Sequence, residues 1–70
     1  MSVWTKRMDG KMIIFESPKR NLEVFHNSRD TWSVVQYMKG GYDERFLGEF
    51  DNKTQALAFV KGYMKKHGAG

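Results

Sequence analysis

Strand-like runs of apolar and polar positions dominate the middle of the chain. In Asn21 to Asn27, Leu22, Val24 and His26 share one parity, and Glu23 and Phe25 the other. That is the period of a strand, whose successive side chains point to opposite faces. Thr31 to Lys39 is the strongest strand in the chain, with apolar residues at both parities. Trp32, Val34, Gln36 and Met38 fall on one face, and Thr31, Ser33, Val35, Tyr37 and Lys39 on the other. Its β-branched and aromatic residues suit a half-buried pleated surface. Upstream, "SVWTKRM" and "KMIIFES" flank Asp9-Gly10, which predicts a hairpin turning on those two residues. Ser17-Pro18 ends its second strand, because proline has no N–H for a ladder. Asn27 to Asp30 is turn chemistry. Gly40-Gly41 opens another turn, and "ERFLGEF" returns as the last strand, with Gly48 marking a bulge or a close backbone approach.

After Phe50 the period changes. Asn52 followed by Gln55 three residues later is a capping-box pattern, and a helix is predicted from about Lys53 to His67. Ala56, Phe59, Val60, Tyr63, Met64 and His67 form one stripe flanked by Leu57, with Thr54, Ala58, Lys61 and Lys65 opposite. Gly68 stops the helix, and residues 68–70 are expected to fray. These elements predict an α+β fold: an antiparallel meander of four to five strands with one C-terminal helix packed on one face. Residues 1–70 form a single small domain with no internal repeat and no linker.

Size narrows the rest. At 70 residues the chain buries only about 60% of its unfolded surface, and it has no cysteine to staple it. Five Phe, three Tyr, two Trp and five Met must supply the packing. A thiolate zinc site and a disulfide framework are excluded. No apolar run approaches the roughly 18 residues of a membrane span, and "MSVWTKRMDG" lacks a signal-peptide core. A cytoplasmic protein without membrane attachment is expected.

The net charge of +4 favours an anionic partner modestly, and its distribution along the chain says more. Residues 5–20 carry Lys6, Arg7, Lys11, Lys19 and Arg20 against Asp9 and Glu16; residues 53–67 carry four lysines and no acid; the middle is acidic. Lys61 and Lys65, with Lys66 beside them, join the first group into one basic patch if the hairpin lies near the helix end. Catalytic chemistry finds no support. His26 and His67 lack metal-ligand spacing, Ser17, Ser28 and Ser33 have no His/Asp constellation, and Gly40-Gly41 is followed by no Lys-Ser/Thr. Asp43-Glu44 is ordinary solvated turn charge. No enzyme activity, cofactor or metal is expected.

The segment "TWSVVQYMKGGYDERFLGEFDNKTQALAF" resembles the DNA-binding domain of plant ethylene-response factors and the arm-type DNA-binding domain of tyrosine integrases. The resemblance rests on Trp32, Leu47, Gly48, Phe50, the Asn52 cap and Ala56, and spans roughly Thr31 to Tyr63. It implies three strands and a helix whose free sheet face enters the DNA major groove, through Ser33, Val35, Tyr37 and Arg45. The sequence departs from that pattern. Where the family carries arginines and a tryptophan, this chain has one Arg, one Tyr and one Val, and residues 21–51 are net acidic. The leading expectation is therefore a small non-catalytic nucleic-acid-binding module. Lys6, Arg7, Lys11, Lys19, Arg20, Arg45, Lys61 and Lys65 would contact phosphate, and Tyr37 or Trp4 would stack on bases. The alternative is a protein-binding adaptor or inhibitor of phage or mobile-element type that uses the free sheet face, as a monomer or weak homodimer.

Overall fold

The computed structural model describes residues 3–39 and 44–68. The Gly40-Gly41 turn, Asp43 and the fraying expected at Ala69 and Gly70 lie outside the described residues. Five strands, β1 (Thr5–Asp9), β2 (Met12–Glu16), β3 (Arg20–His26), β4 (Trp32–Met38) and β5 (Glu44–Phe50), precede one helix, α1 (Lys53–Lys66). The strands form a single antiparallel sheet in the order β1-β2-β3-β4-β5. This is the α+β meander that the alternation predicts.

The first hairpin turns later than expected. Asp9 pairs with Met12, so the loop is Gly10-Lys11 and not Asp9-Gly10. Only Gly10 has a positive φ there, 63°, as in a type II′ turn, which needs glycine at its first central position alone. Arg7 consequently stands opposite Ile14 rather than Met12, and its Nε donates to Glu16 Oε1 at 2.7 Å. The hairpin extends the sheet as its edge and does not fold over the free face.

One face of the sheet is apolar. Ile13, Phe15, Leu22, Val24 and Val34 are buried there with Ala56 and Val60 of α1. The helix lies over β3, β4 and β5 and leaves β1 and β2 beside it. Val60 is fully buried, whereas Phe59 is half-buried, its ring 5.2 Å from that of Phe50 and 6.4 Å from that of Tyr63. Asn52 Oδ1 accepts from the Gln55 N–H at 2.9 Å, and Gln55 Oε1 accepts from the Asp51 N–H at 3.3 Å. The second bond lies one residue ahead of its place in a capping box. At the other end, Trp4 Nε1 donates to the His67 carbonyl at 2.8 Å, satisfying a group that the helix leaves open.

The last strand carries a bulge. Val35 pairs with Phe46 but Val34 pairs with Gly48, so Leu47 is an extra residue in β5. Leu47 packs against the core. A Cβ on Gly48 would lie 3.2 Å from the Phe50 ring, so a larger residue here would push that ring by a few tenths of an ångström. No helix among the described residues is long and apolar enough to cross a membrane.

Candidate functional site

Cross-strand partners point to the same face, so the register assigns every strand charge to a side. On the helix side stand Lys6 (opposite Phe15), Arg20 (opposite Met38) and Arg45 (opposite Gln36). On the open side stand Arg7, Asp9, Glu16, Glu23, Glu44 and Glu49. Every strand carboxylate among the described residues is thus on the open face. The helix adds Lys53, Lys61, Lys65 and Lys66 and no acid to its own side. The segregation follows from parity: Glu23 alternates against Leu22 and Val24, which must face the helix.

The basic side is built around the C-terminal half of α1. Ser17, Pro18, Lys19 and Arg20 form a tight turn, with the Ser17 N–H donating to the Arg20 carbonyl at 2.9 Å and the Ser17 hydroxyl donating to it at 2.8 Å. Lys19 is thereby held at the turn, and its carbonyl accepts from the Lys39 N–H at 3.1 Å. Arg20 Nη1 donates to the Tyr63 hydroxyl at 3.1 Å, which in turn donates to the buried Gln36 amide oxygen. This relay fixes the last two turns of the helix, with Lys61, Lys65 and Lys66, over the sheet end that carries Lys19, Arg20, Lys39 and Arg45. Arg20 Nε is buried without a hydrogen-bond partner. None of these cations pairs with a carboxylate among the described residues.

The open face differs in kind. At one end Asn27 organises a polar loop: its Oδ1 accepts from the Arg29 N–H at 2.9 Å, and its Nδ2 donates to Ser33 Oγ at 2.8 Å. Glu49 accepts there from Thr31 Oγ1 and from Arg29 Nε, the latter at 3.1 Å. The Thr31 hydroxyl, then Asn27 and Arg29, hold the Glu49 carboxyl below the usual glutamate value. Nearer the centre the shift reverses. Burial first, and the Glu44 charge second, push the Glu23 carboxyl up. Burial and the same two carboxylates push the Tyr37 hydroxyl up. Ile14 and Val35 lie buried among these side chains, while Phe46 is 58% exposed.

The expected nucleic-acid contacts therefore divide. Lys6, Arg20, Arg45, Lys61 and Lys65 belong to the helix side, and Lys19 lies in the turn before Arg20. Arg45 does not join Ser33, Val35 and Tyr37 as the groove-insertion pattern implies, because the bulge sets its parity with Gln36. Arg7 is on the open face, tied to Glu16. Lys11 sits at the far turn, beside Asp9, Met12, Phe25 and His26, which line a shallow depression of about 470 Å³. Tyr37 stands between Glu23 and Glu44, where a base stacked on its ring would bring phosphate towards carboxylates. Trp4 is engaged by the helix end. Lys39, at the sheet end, is a cation that sequence reasoning did not assign to the site. Among the described residues no group of three or more His, Cys, Asp or Glu is placed to hold a metal ion. His26 Nε2 instead lies 2.8 Å from Asp30 Oδ1, and the His67 ring packs 4.4 Å from that of Tyr63.

No family model matches the chain, and no curated protein or solved structure matches it.

Proposed function

We propose that the chain is a small non-catalytic nucleic-acid-binding module whose phosphate-contacting surface is the helix side. Lys6, Arg20, Arg45, Lys61 and Lys65 contact the backbone, with Lys66 beside them and Lys19 and Lys39 at the adjoining sheet end. The observation that carries this reading is the partition of charge: cations gather on one side with no strand or helix carboxylate among them. Phosphate neutralisation by Lys and Arg supplies most of the affinity of such modules. The binding mode differs from groove insertion by a free sheet face, because here that face is acidic. A protein partner on the open face is the second reading, favoured by the exposed Phe46.

Titrations of duplex DNA, single-stranded DNA and RNA across a salt series test the proposal. Replacing Lys61 and Lys65 together with Gln is expected to weaken binding alike for all sequences. It should also flatten the dependence of log affinity on log salt by about one unit per lost contact. Arg7→Gln and Tyr37→Ala, on the other face, are expected to leave the slope unchanged. Absence of binding at low salt, or a larger loss from Tyr37→Ala than from the lysine pair, overturns it.

A further inference from the structure

The exposed large hydrophobic residues among the described residues are Val3, Met8 and Phe46. Two of them occupy opposite corners of the sheet. Phe46 stands on the edge strand β5, on the open face, opposite Val35. Glu44 shares that face and strand, and Glu23 flanks Val35 on β3. Met8, 56% exposed, stands on the other edge strand, β1, on the helix side and opposite Ile13. Lys6 shares its face and strand, and the helix leaves this margin uncovered. One corner thus offers an apolar side chain among carboxylates, and the other an apolar side chain beside a lysine.

We propose that the open face docks a second copy of this chain, head to tail, its Phe46 corner against the Met8–Lys6 margin of the neighbour. Charge complementarity selects this occupant. Asp9, Glu23 and Glu44 have no cation within ion-pair distance among the described residues, and the mutual repulsion of Glu23 and Glu44 is relieved by a neighbour's lysine. The opposite side of the same molecule supplies unpaired cations. Because the two surfaces differ, the contact is heterologous. A docked pair leaves one corner of each kind free, so association yields short open chains and not a closed two-fold dimer. The contact is small and rimmed by charge, so it weakens with salt and forms at high protein concentration.

This inference is independent of the nucleic-acid reading, and analytical ultracentrifugation of the intact chain tests it. The wild type is expected to show a weight-average mass that rises with concentration and returns towards the monomer in about 0.5 M salt, where charges further apart than a few ångströms are screened. Phe46→Ser and Met8→Ser, each checked for fold by circular dichroism, are expected to move the association midpoint at least about tenfold upward. An equimolar mixture of the two variants is the sharper measurement. One copy keeps an intact basic corner and the other an intact acidic corner, so the mixture is expected to associate, and to stop at dimers. A wild type that stays monomeric, association indifferent to both substitutions, or a mixture no more associated than either variant alone overturns the proposal. A monomer that binds nucleic acid refutes the docking alone, whereas salt-sensitive chains that ignore nucleic acid refute the binding proposal alone.

Discussion

The two faces of the sheet are both partly buried, yet they are buried by different means. Under the helix, Leu22, Val24, Val34 and Val60 are covered by other apolar groups and have no accessible surface. On the open face, Ile14 and Val35 are buried as well. Their cover is the sheet's own polar side chains: Arg7 opposite Ile14, Glu23 opposite both, and Tyr37 alongside. Long polar side chains can bury apolar area with their stems while their charged ends stay in water. Burial alone therefore does not mark a core, and low exposure on the open face coexists with an ionic surface.

The largest expected difference between the faces is in stability. Leu22→Ala removes a fully buried side chain under the helix and should cost about 2–5 kcal/mol, most of the stability of a domain this small. Phe46→Ala on the open face should stay within about 0.5 kcal/mol, as surface changes usually do. Urea unfolding of both variants checks this, and comparable losses would erase the distinction.

Neighbouring valines sharpen it. Val34→Thr places a hydroxyl in an apolar core and should cost about 1–3 kcal/mol. Val35→Thr places the same hydroxyl beside Glu23 and Tyr37 and should cost clearly less. Equal midpoints for the two variants in thermal melts would show that the open face is as dry as the core.

The smallest effect concerns sign. The Glu23 carboxyl is raised, so its protonated form is the one the fold favours. Its contribution is fully present below the ordinary glutamate pKa and is lost as pH rises through the folded value. Glu23→Gln should therefore stabilise at about pH 7 and do nothing at about pH 3, where both states are protonated. Glu49, held low, should behave oppositely: Glu49→Gln destabilises at neutral pH, and the loss fades on acidification. Melting temperatures at the two pH values decide the matter; shifts of the same sign would contradict the assigned surroundings.

The elements were largely legible in the sequence because their composition and spacing are clean. Trp32 to Met38 is rich in β-branched and aromatic residues, and the change to helical spacing after Phe50 is announced by Asn52 and Gln55. The turn at Gly10-Lys11 was not legible. Asp-Gly and Gly-Lys both suit a two-residue loop, and pairing energy across the hairpin, not turn chemistry, chooses between them. The site was less legible still. Charge summed along the chain describes basic ends and an acidic middle, whereas strands sort charge by parity, so Arg20 and Glu23 leave by opposite faces although they are near neighbours. The parity of Glu23 could have been taken from Leu22 and Val24. That of Arg45 could not, because it depends on where β5 skips a pairing partner.

That skipped residue makes β5 behave like a message whose reading frame changes partway. Before Leu47 the frame sends Phe46 to the open face; after it, the frame sends Phe50 to the helix and Glu49 outward. Deleting Leu47 would close the bulge and leave every destination as it is, because Phe46 and Gly48 already face opposite sides and would then simply follow one another. The loss would be that of its packing against the core. Forcing regular alternation through position 47 with the residue retained would instead change the meaning of half the strand. Either Phe50 would leave the helix for water, or Phe46 would be driven beneath it with Glu44 following.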